Sequence, residues 1–477
     1  MRKADVFRPA GVDDGALVWG LGESGAAAAR LLRAAGWNVV VAEDRRAPAA
    51  EARAAALAPL GVRVAWSVTA WSGIRPALVV LSPGVPPGDP RLTPFHAAGV
   101  PVRGEFELGA HFARGPLVAV TGSSGKSSIV KLLAETLRAA GRPARPCGNY
   151  GEPLSAAVAA AAPAETLVAE ASSFQLETVR RLPTCAAALL LNLHPNHLDR
   201  HGTWAAYEAA KLRLFAAAPE AAAVVIPAAW RSRLRREYPA AAARAVTFAA
   251  EPDDAADFRR GADGVLYRGA APWARLTGSY FDNPVLGVNA AGAAAVCAAL
   301  DVPAAALEQA ARDFRPLPHR RQLVGEYGGV RFVDDSKATT LDALTASVRM
   351  CGGPVRLIAG GLLKEDAPER VKDLLASDVR MVYLIGSCAQ TLRAAWSDSV
   401  PCRVCGDLAK ATAEACREAR PGETVLLAPG CASFDQFVGY HERGEQFAQR
   451  VKGYGDHEAT GRFGVDGMAE SVRSEGA

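Results

Sequence analysis

The chain has 477 residues, half of them hydrophobic, which at ~150 residues per domain is material for about three domains. Charged residues make up 22%, too ordinary a composition for a disordered polypeptide, and Lys plus Arg exceed Asp plus Glu by only 54 − 50 = 4, so neither a basic footprint for nucleic acid nor a polybasic membrane anchor is expected. No apolar run reaches the ~18–20 residues of a membrane span, the N-terminal MRKADVFRPAGVDDG lacks the apolar core of a signal peptide, and nine scattered cysteines read as reduced thiols; a soluble cytoplasmic protein is expected.

In chain order, the first element is a βαβ unit, ALVWGLGESGAAAARLLRAAGWNVVVAED. It has a strand over Ala16–Trp19, a glycine turn, an Ala/Leu helix and a second strand over Val39–Ala42. Gly20-x-Gly22-x-x-Gly25 lies in its turn, and Glu43-Asp44 follow at the spacing of an acid that would hold a ribose. By spacing alone this is a dinucleotide or diphosphate site, with a helix N-terminus facing the anion.

The second unit, Pro116 to Gly141, repeats strand, loop and helix around Thr121-Gly122-Ser123-Ser124-Gly125-Lys126-Ser127-Ser128. Glycines let backbone amides turn toward a polyphosphate, Lys126 can reach its β/γ-phosphates, and the Ser127 hydroxyl can ligate Mg²⁺. The spacing is the short GxxGKS, since Val120 stands six residues before Lys126. ATP binding is expected here. Beyond it come GNYG, VAEASSFQLE with Glu170 at a strand end, and LLLNLHPNHLDRHGTWAAYEAAKLRLF.

The third unit opens near Val330 with four apolar strands, in VRFVDDSKATT, VRLIAGG, MVYLIGS and TVLLAPG, separated by helical segments as in a doubly wound sheet. The expected fold is α/β, in three domains. Residues 1–114 form a Rossmann-like domain, 115–315 a central P-loop domain with a mostly parallel sheet, and 316–456 a second Rossmann-like domain; 457–477 form a flexible tail. Cys402-x-x-Cys405 is the nearest approach to a metal pattern, and no second such pair accompanies it.

The ordered series GxxGKS, ExSSFQLE, NHLDRH…AAKLR, PHR, DSKAT and SFDQF resembles the Mur ligase family of ATP-dependent amide-forming enzymes, from about residue 16 to residue 450. The SSFQLE and SFDQF pieces point to its glutamate-adding branch. The resemblance implies phosphorylation of the UDP-MurNAc-L-Ala carboxylate by ATP, attack of the glutamate amine on the acyl phosphate, and collapse of a tetrahedral intermediate. D-glutamate is the expected amino acid, with an L-glutamate-adding variant or a specialised or degenerate paralogue as alternatives.

It also implies roles for residues. Ser127 and Glu170 would ligate the Mg²⁺ on the ATP phosphates, and His197 a second Mg²⁺. Lys211 matches a lysine that becomes a carbamate, converting a repelling ammonium into an anionic ligand. Lys126, His197, Lys211 and Lys337 would serve bond-making. Gly122 to Ser128, Asn289, Arg320 and Asp335 would hold ATP, and Gly22, Arg45, Ser82 and Gly84 the UDP moiety. Asn149, Ser172 and Ser173 would touch the muramoyl-alanine part. Thr339, Lys364, Ser433, Phe434 and Tyr440 would form the glutamate pocket, where a dianion needs donors and a fixed cation. Closure of the domains is expected, and a monomer.

Departures from the family pattern fall around nucleotide and metal. Ser124 stands for the usual Asn, Asn196 for an Asp, Gln322 for a Glu, Val288 and Gly292 for the His and second Asn of HNxxN, and Leu363 for an acid before Lys364. Asp282-Asn283 offer another register for HNxxN. Two further readings compete: an NAD-dependent oxidoreductase built on Gly20–Gly25, which leaves Lys126, Glu170, His197 and DSKAT unused, and a ligase homologue that binds its substrate without turnover. The relative that adds glutamate to folates shares the P-loop but would not carry SSFQLE together with SFDQF.

Overall fold

The computed structural model describes residues 15–67, 75–250, 255–364 and 367–459. The extreme N-terminus and residues 460–477 of the tail expected from 457 lie outside the described residues, while 457–459 end the helix Tyr440–Ala459. The chain divides after Phe314 into two compact units.

The first unit holds two sheets. In one, β1 (Gly15–Trp19), β2 (Asn38–Ala42), β3 (Arg63–Ala65), β4 (Leu78–Leu81) and β5 (Val102–Gly104) are all parallel, in the order β3-β2-β1-β4-β5. Strands covered on both faces read as unbroken apolar runs: LVVL of β4 is wholly buried. The order reverses at β1, so the crevice outside the carboxyl ends of β1 and β4 is the switch point where such sheets take ligands.

The other sheet runs β14-β13-β12-β11-β10-β9-β6-β8-β7. Its strands are β6 (Leu117–Thr121), β7 (Ala144–Gly148), β8 (Thr166–Glu170), β9 (Cys185–Leu190), β10 (Ala223–Pro227), β11 (Ala245–Ala250), β12 (Phe258–Arg260), β13 (Val265–Arg268) and β14 (Ala271–Arg275). Pairing is parallel from β7 to β12, then antiparallel through the short β12–β14 meander. Val120 of β6 registers with Glu170 on one side and Leu189 on the other. That register sets the P-loop, Glu170 and the segment after β9 on one edge.

The second unit has one sheet, ordered β15-β16-β20-β17-β18-β19. It comprises β15 (Gln322–Tyr327), β16 (Val330–Asp334), β17 (Val355–Gly360), β18 (Val379–Ile385), β19 (Cys402–Gly406) and β20 (Thr424–Leu427). The four apolar strands read from the sequence are β16, β17, β18 and β20. The two that reading lacked, β15 and β19, are the edges, where partial exposure removes the apolar signal. β15 is the antiparallel member, joined to β16 through Gly328-Gly329 at φ +53° and +74°, which two-residue hairpin turns demand.

Candidate functional site

The glycine-rich loop after β6 is held open from its flanks. Gly125 has φ +79°, and a side chain there would meet Asn289 Nδ2 at 2.4 Å, so both backbone and space call for glycine. Asn192 accepts from the Ser124 amide at 2.9 Å and its hydroxyl at 3.2 Å, and donates to the Ser124 carbonyl at 3.1 Å. A fourth Asn192 bond, to Asn289 Oδ1 at 3.3 Å, ties the loop to the helix Pro284–Ala299. Asn289 is thus a buried brace of the loop. Asn283, the other register, caps that helix by accepting from the Val285 and Leu286 amides.

Lys126 opens the helix Lys126–Ala139, followed by buried Ser127 and Ser128, and its Nζ donates to the Ser123 carbonyl at 3.1 Å. The Ser127 hydroxyl donates to Glu170 Oε2 at 2.5 Å, while Asn149 Nδ2 donates to Oε1 at 2.8 Å. Ser127 and Glu170 are each 3% exposed. A hydroxyl and a carboxylate oxygen beside a phosphate loop match what Mg²⁺ takes from a protein, since it keeps waters and binds the rest of its shell through phosphate oxygens. These two residues fit the ion.

Lys211 lies behind the loop, 2% exposed, on the helix Trp204–Ala217. Its Nζ donates to the Gly122 carbonyl at 2.9 Å and sits 4.9 Å above the Tyr207 ring. Burial first, then repulsion from Lys126, pushes its pKa well below the usual lysine value, with Glu170 opposing. His197 is exposed, at φ +53°, with its ring 5.0 Å from that of Phe174. Among the described residues no three His, Cys, Asp or Glu side chains converge as a metal cluster.

Ser172 caps the short helix Ser173–Leu176 in a reciprocal capping box with Gln175. Buried Ser173 lies 3.0 Å from His201 Nε2. Sequence reasoning assigned no role to His201, Glu177, Arg200 or Tyr207, because bonds across 23 to 84 residues have no periodic signature; the Tyr207 hydroxyl lies 2.8 Å from Ser123 Oγ.

At the switch point of the first sheet, Ser82 Oγ donates to the Gly20 carbonyl at 3.0 Å, bringing Gly22 and Gly84 to the mouth of one crevice. Arg45 is exposed beside it. Glu43, the acid at ribose spacing, accepts from the Leu21 amide at 2.7 Å and the Arg45 amide at 2.9 Å. Its carboxylate is committed to the loop itself, which weakens the dinucleotide reading.

In the second unit Asp335, Lys337 and Thr339 follow β16, Lys364 follows β17, and Ser433 and Phe434 follow β20. Asp335, half-buried, follows β16; burial raises its carboxyl pKa. Its neighbour Asp334 is buried and lies 2.7 Å from His319 Nδ1, which raises the imidazole pKa. Gln322 Oε1 accepts from the His319 amide at 3.2 Å. Arg320 is half-buried, whereas Arg321 is locked onto the Ser347 and Met350 carbonyls. Lys337 Nζ sits 4.1 Å above the Tyr440 ring, and Thr339 follows in the same loop.

Lys364 Nζ lies 5.7 Å from the ring of Phe434, which is 66% exposed and next to buried Ser433. The Leu362–Ala432 bridge makes that pairing. Arg443, fully buried, donates to the Ser336 and Cys431 carbonyls and holds the Lys337 loop to the Ser433 loop; the sequence offered no sign of this.

Three family models match in series: Mur ligase MurD-like, N-terminal domain over residues 14–104, Mur ligase middle domain over 120–295, and Mur ligase, glutamate ligase domain over 319–431. UDP-N-acetylmuramoylalanine–D-glutamate ligase of Acidobacterium capsulatum is 38% identical over 452 residues, covering 91% of this chain and 95% of its own. The ligase of the same name from Frankia casuarinae is 40% identical, with coverages of 91% and 93%. Among solved structures, MurF ligase of Thermotoga maritima in complex with ADP aligns at TM-score 0.58 and 16% identity over 89% of this chain and 96% of its own. MurC of the same organism aligns at 0.55 and 14%, over 92% and 99%. Likeness at that identity speaks for the fold alone; the sequence relatives and the three consecutive models carry the assignment, and the chain belongs to the Mur ligase family of ATP-dependent peptide ligases.

Proposed function

We propose that this chain adds D-glutamate to UDP-N-acetylmuramoyl-L-alanine at the expense of ATP, in the cytoplasmic synthesis of peptidoglycan precursors. The observation that carries the reading is agreement of two kinds. Relatives named for that reaction span more than nine-tenths of their length on this chain. The chain also keeps Lys126, the Ser127–Glu170 pair and a buried Lys211 around its phosphate loop.

A carboxylate is a poor electrophile, so the reaction needs phosphate as its leaving group and cations against the phosphoryl oxygens. The amides of Gly122 to Ser128 and the Lys126 ammonium would cradle the β- and γ-phosphates. Ser127 and Glu170 would hold one Mg²⁺, which supplies charge neutralisation and orientation of those oxygens. Burial and repulsion from Lys126 drive the Lys211 pKa down and so favour its neutral amine form. That form can add to CO₂ with loss of one proton, and the resulting carbamate, with His197, would serve a second Mg²⁺. Asn149 fixes the Glu170 carboxylate, and Ser172 and Ser173 would contact the muramoyl-alanine arm. Gly22, Arg45, Ser82 and Gly84 would receive the UDP diphosphate.

In the second unit, Arg320, Asp335 and Lys337 would serve the nucleotide and the reacting phosphate. Lys364, Thr339, Ser433, Phe434 and Tyr440 would bind glutamate. The test is phosphate release with ATP, Mg²⁺ and UDP-MurNAc-L-Ala, in parallel with D-glutamate, L-glutamate and no amino acid. Release with D-glutamate alone is expected. Release with L-glutamate alone would move the enzyme to the variant branch, and silence in every tube would overturn the reading.

A further inference from the structure

One connected set of side chains runs from the first sheet's ligand crevice into the central domain, and the roles above leave it unused. Arg200 donates to the Gly84 carbonyl at 3.2 Å and the Val85 carbonyl at 3.4 Å, and its guanidinium also meets Glu177 Oε2 at 2.8 Å. The other oxygen of Glu177 lies 3.3 Å from His201 Nδ1, and His201 Nε2 lies 3.0 Å from Ser173 Oγ. The His201 side chain is 3% exposed, and Arg200 and Glu177 are mostly covered. Direct bonds of this kind between little-hydrated groups hold geometry better than exposed ones.

We propose that Glu177 and His201 are positioning residues for the ligation: they set the direction of the Ser173 hydroxyl and hold Arg200 across the Gly84–Val85 loop, so that the diphosphate loop and the acyl-end contact are fixed as one piece. The inference rests on the reading that Ser173 and Gly84 contact UDP-MurNAc-L-Ala. Its chemical content is a hydrogen-bond polarity. Carboxylate oxygens only accept, so Glu177 fixes the neutral imidazole as the Nδ1–H form. Nε2 is then an acceptor, and the Ser173 O–H donates to it. The Ser173 oxygen is left to present lone pairs, which selects a donor on the substrate, an amide N–H or a sugar O–H, over a carbonyl.

The experiment combines steady-state kinetics with NMR of the ¹⁵N-histidine-labelled full chain, the His201 signal being assigned by its loss in His201→Gln. In the parent, His201 is expected as the Nδ1–H tautomer. Glu177→Gln should erase that preference and raise KM for UDP-MurNAc-L-Ala about tenfold, the scale of one lost hydrogen bond, with KM for ATP unchanged and kcat within about threefold. His201→Leu should do the same to KM. His201→Gln, whose amide keeps one donor and one acceptor, should recover most of the loss.

An Nε2–H tautomer in the parent overturns the proposal, whatever the activity. So do variants whose thermal midpoint falls while both KM values stay put, because that is the pattern of packing alone. A parent with the expected tautomer but no ligation overturns the functional reading and, with it, the role for Ser173, while the Glu177–His201 polarity stands.

Discussion

Glu105 begins the helix Glu105–Phe112 beside the crevice formed by Leu81, Ser82, Phe106 and Phe174, and it is 1% exposed. One carboxyl oxygen accepts from the Ser155 amide at 2.7 Å, and the other, Oε2, meets no hydrogen-bond partner among the described residues. Burial outweighs the Ser155 bonds and pushes its pKa from 4.5 to about 7. A carboxyl whose folded pKa exceeds its unfolded value favours folding while protonated. Stability is therefore fully present below about pH 4.5 and is lost progressively as pH rises through about 7. The shift of ~2.5 units at 1.36 kcal/mol each amounts to about 3 kcal/mol, of which roughly 2.5 kcal/mol falls between pH 5 and pH 8.5.

Glu105→Gln removes this titration and keeps the shape and the Ser155 acceptor. Chemical denaturation of parent and variant, followed on the transition of the first unit, should show their stability difference moving by about 2.5 kcal/mol in favour of the variant between those two pH values. Every other titrating group cancels in that difference. Parallel pH curves would refute the argument: they would mean that water or relaxation solvates the Oε2 atom and the carboxyl titrates normally.

Four further outcomes are expected. Lys126→Ala should lower kcat for phosphate release by roughly 10²–10³-fold with an unchanged thermal midpoint, because a cation facing developing phosphoryl charge acts mainly in the transition state. Glu170→Gln should raise the Mg²⁺ concentration for half-maximal activity about tenfold or more, read from Mg²⁺ titrations of turnover. Arg443→Met leaves the Ser336 and Cys431 carbonyls without their buried donor and should cost the second unit roughly 3 kcal/mol, measured by denaturant unfolding, with Arg443→Lys recovering only part. Gly386→Ala adds a Cβ that would meet Asp435 Oδ2 at 2.4 Å and Gly361 Cα at 2.6 Å at a backbone φ of +73°, and should destabilise the same unit by roughly 2–4 kcal/mol in that assay.

Local chemistry made much of this protein legible from residues alone. The Gly20–Gly25 turn, the GxxGKS loop with its flanking strand and helix, and the parallel strands β1, β2, β6, β16, β17, β18 and β20 announce themselves, because buried parallel strands are continuous apolar runs and phosphate loops need glycine and lysine at fixed spacing. The edge strands β15 and β19 and the β12–β14 meander did not, since strands with one face or edge in water carry mixed sequences whose pairing is set by what lies beside them.

Tertiary structure decided which polar groups are spent on the protein itself. Glu43 sits at the spacing of a ribose-binding acid, yet it is committed to the Leu21 and Arg45 amides; the Asn289 side-chain oxygen braces the P-loop through Asn192. Burial also changed Lys211, a lysine that alone would read as a solvated helix residue and whose pKa desolvation lowers. Glu177, His201 and Arg200 gained a role only when register carried the carboxyl ends of β8 and β9 to the same edge as β6. Spacing along a chain specifies what a loop of eight residues can grip. Desolvation, and hydrogen bonds between segments far apart in sequence, exist only once the sheet has chosen its neighbours.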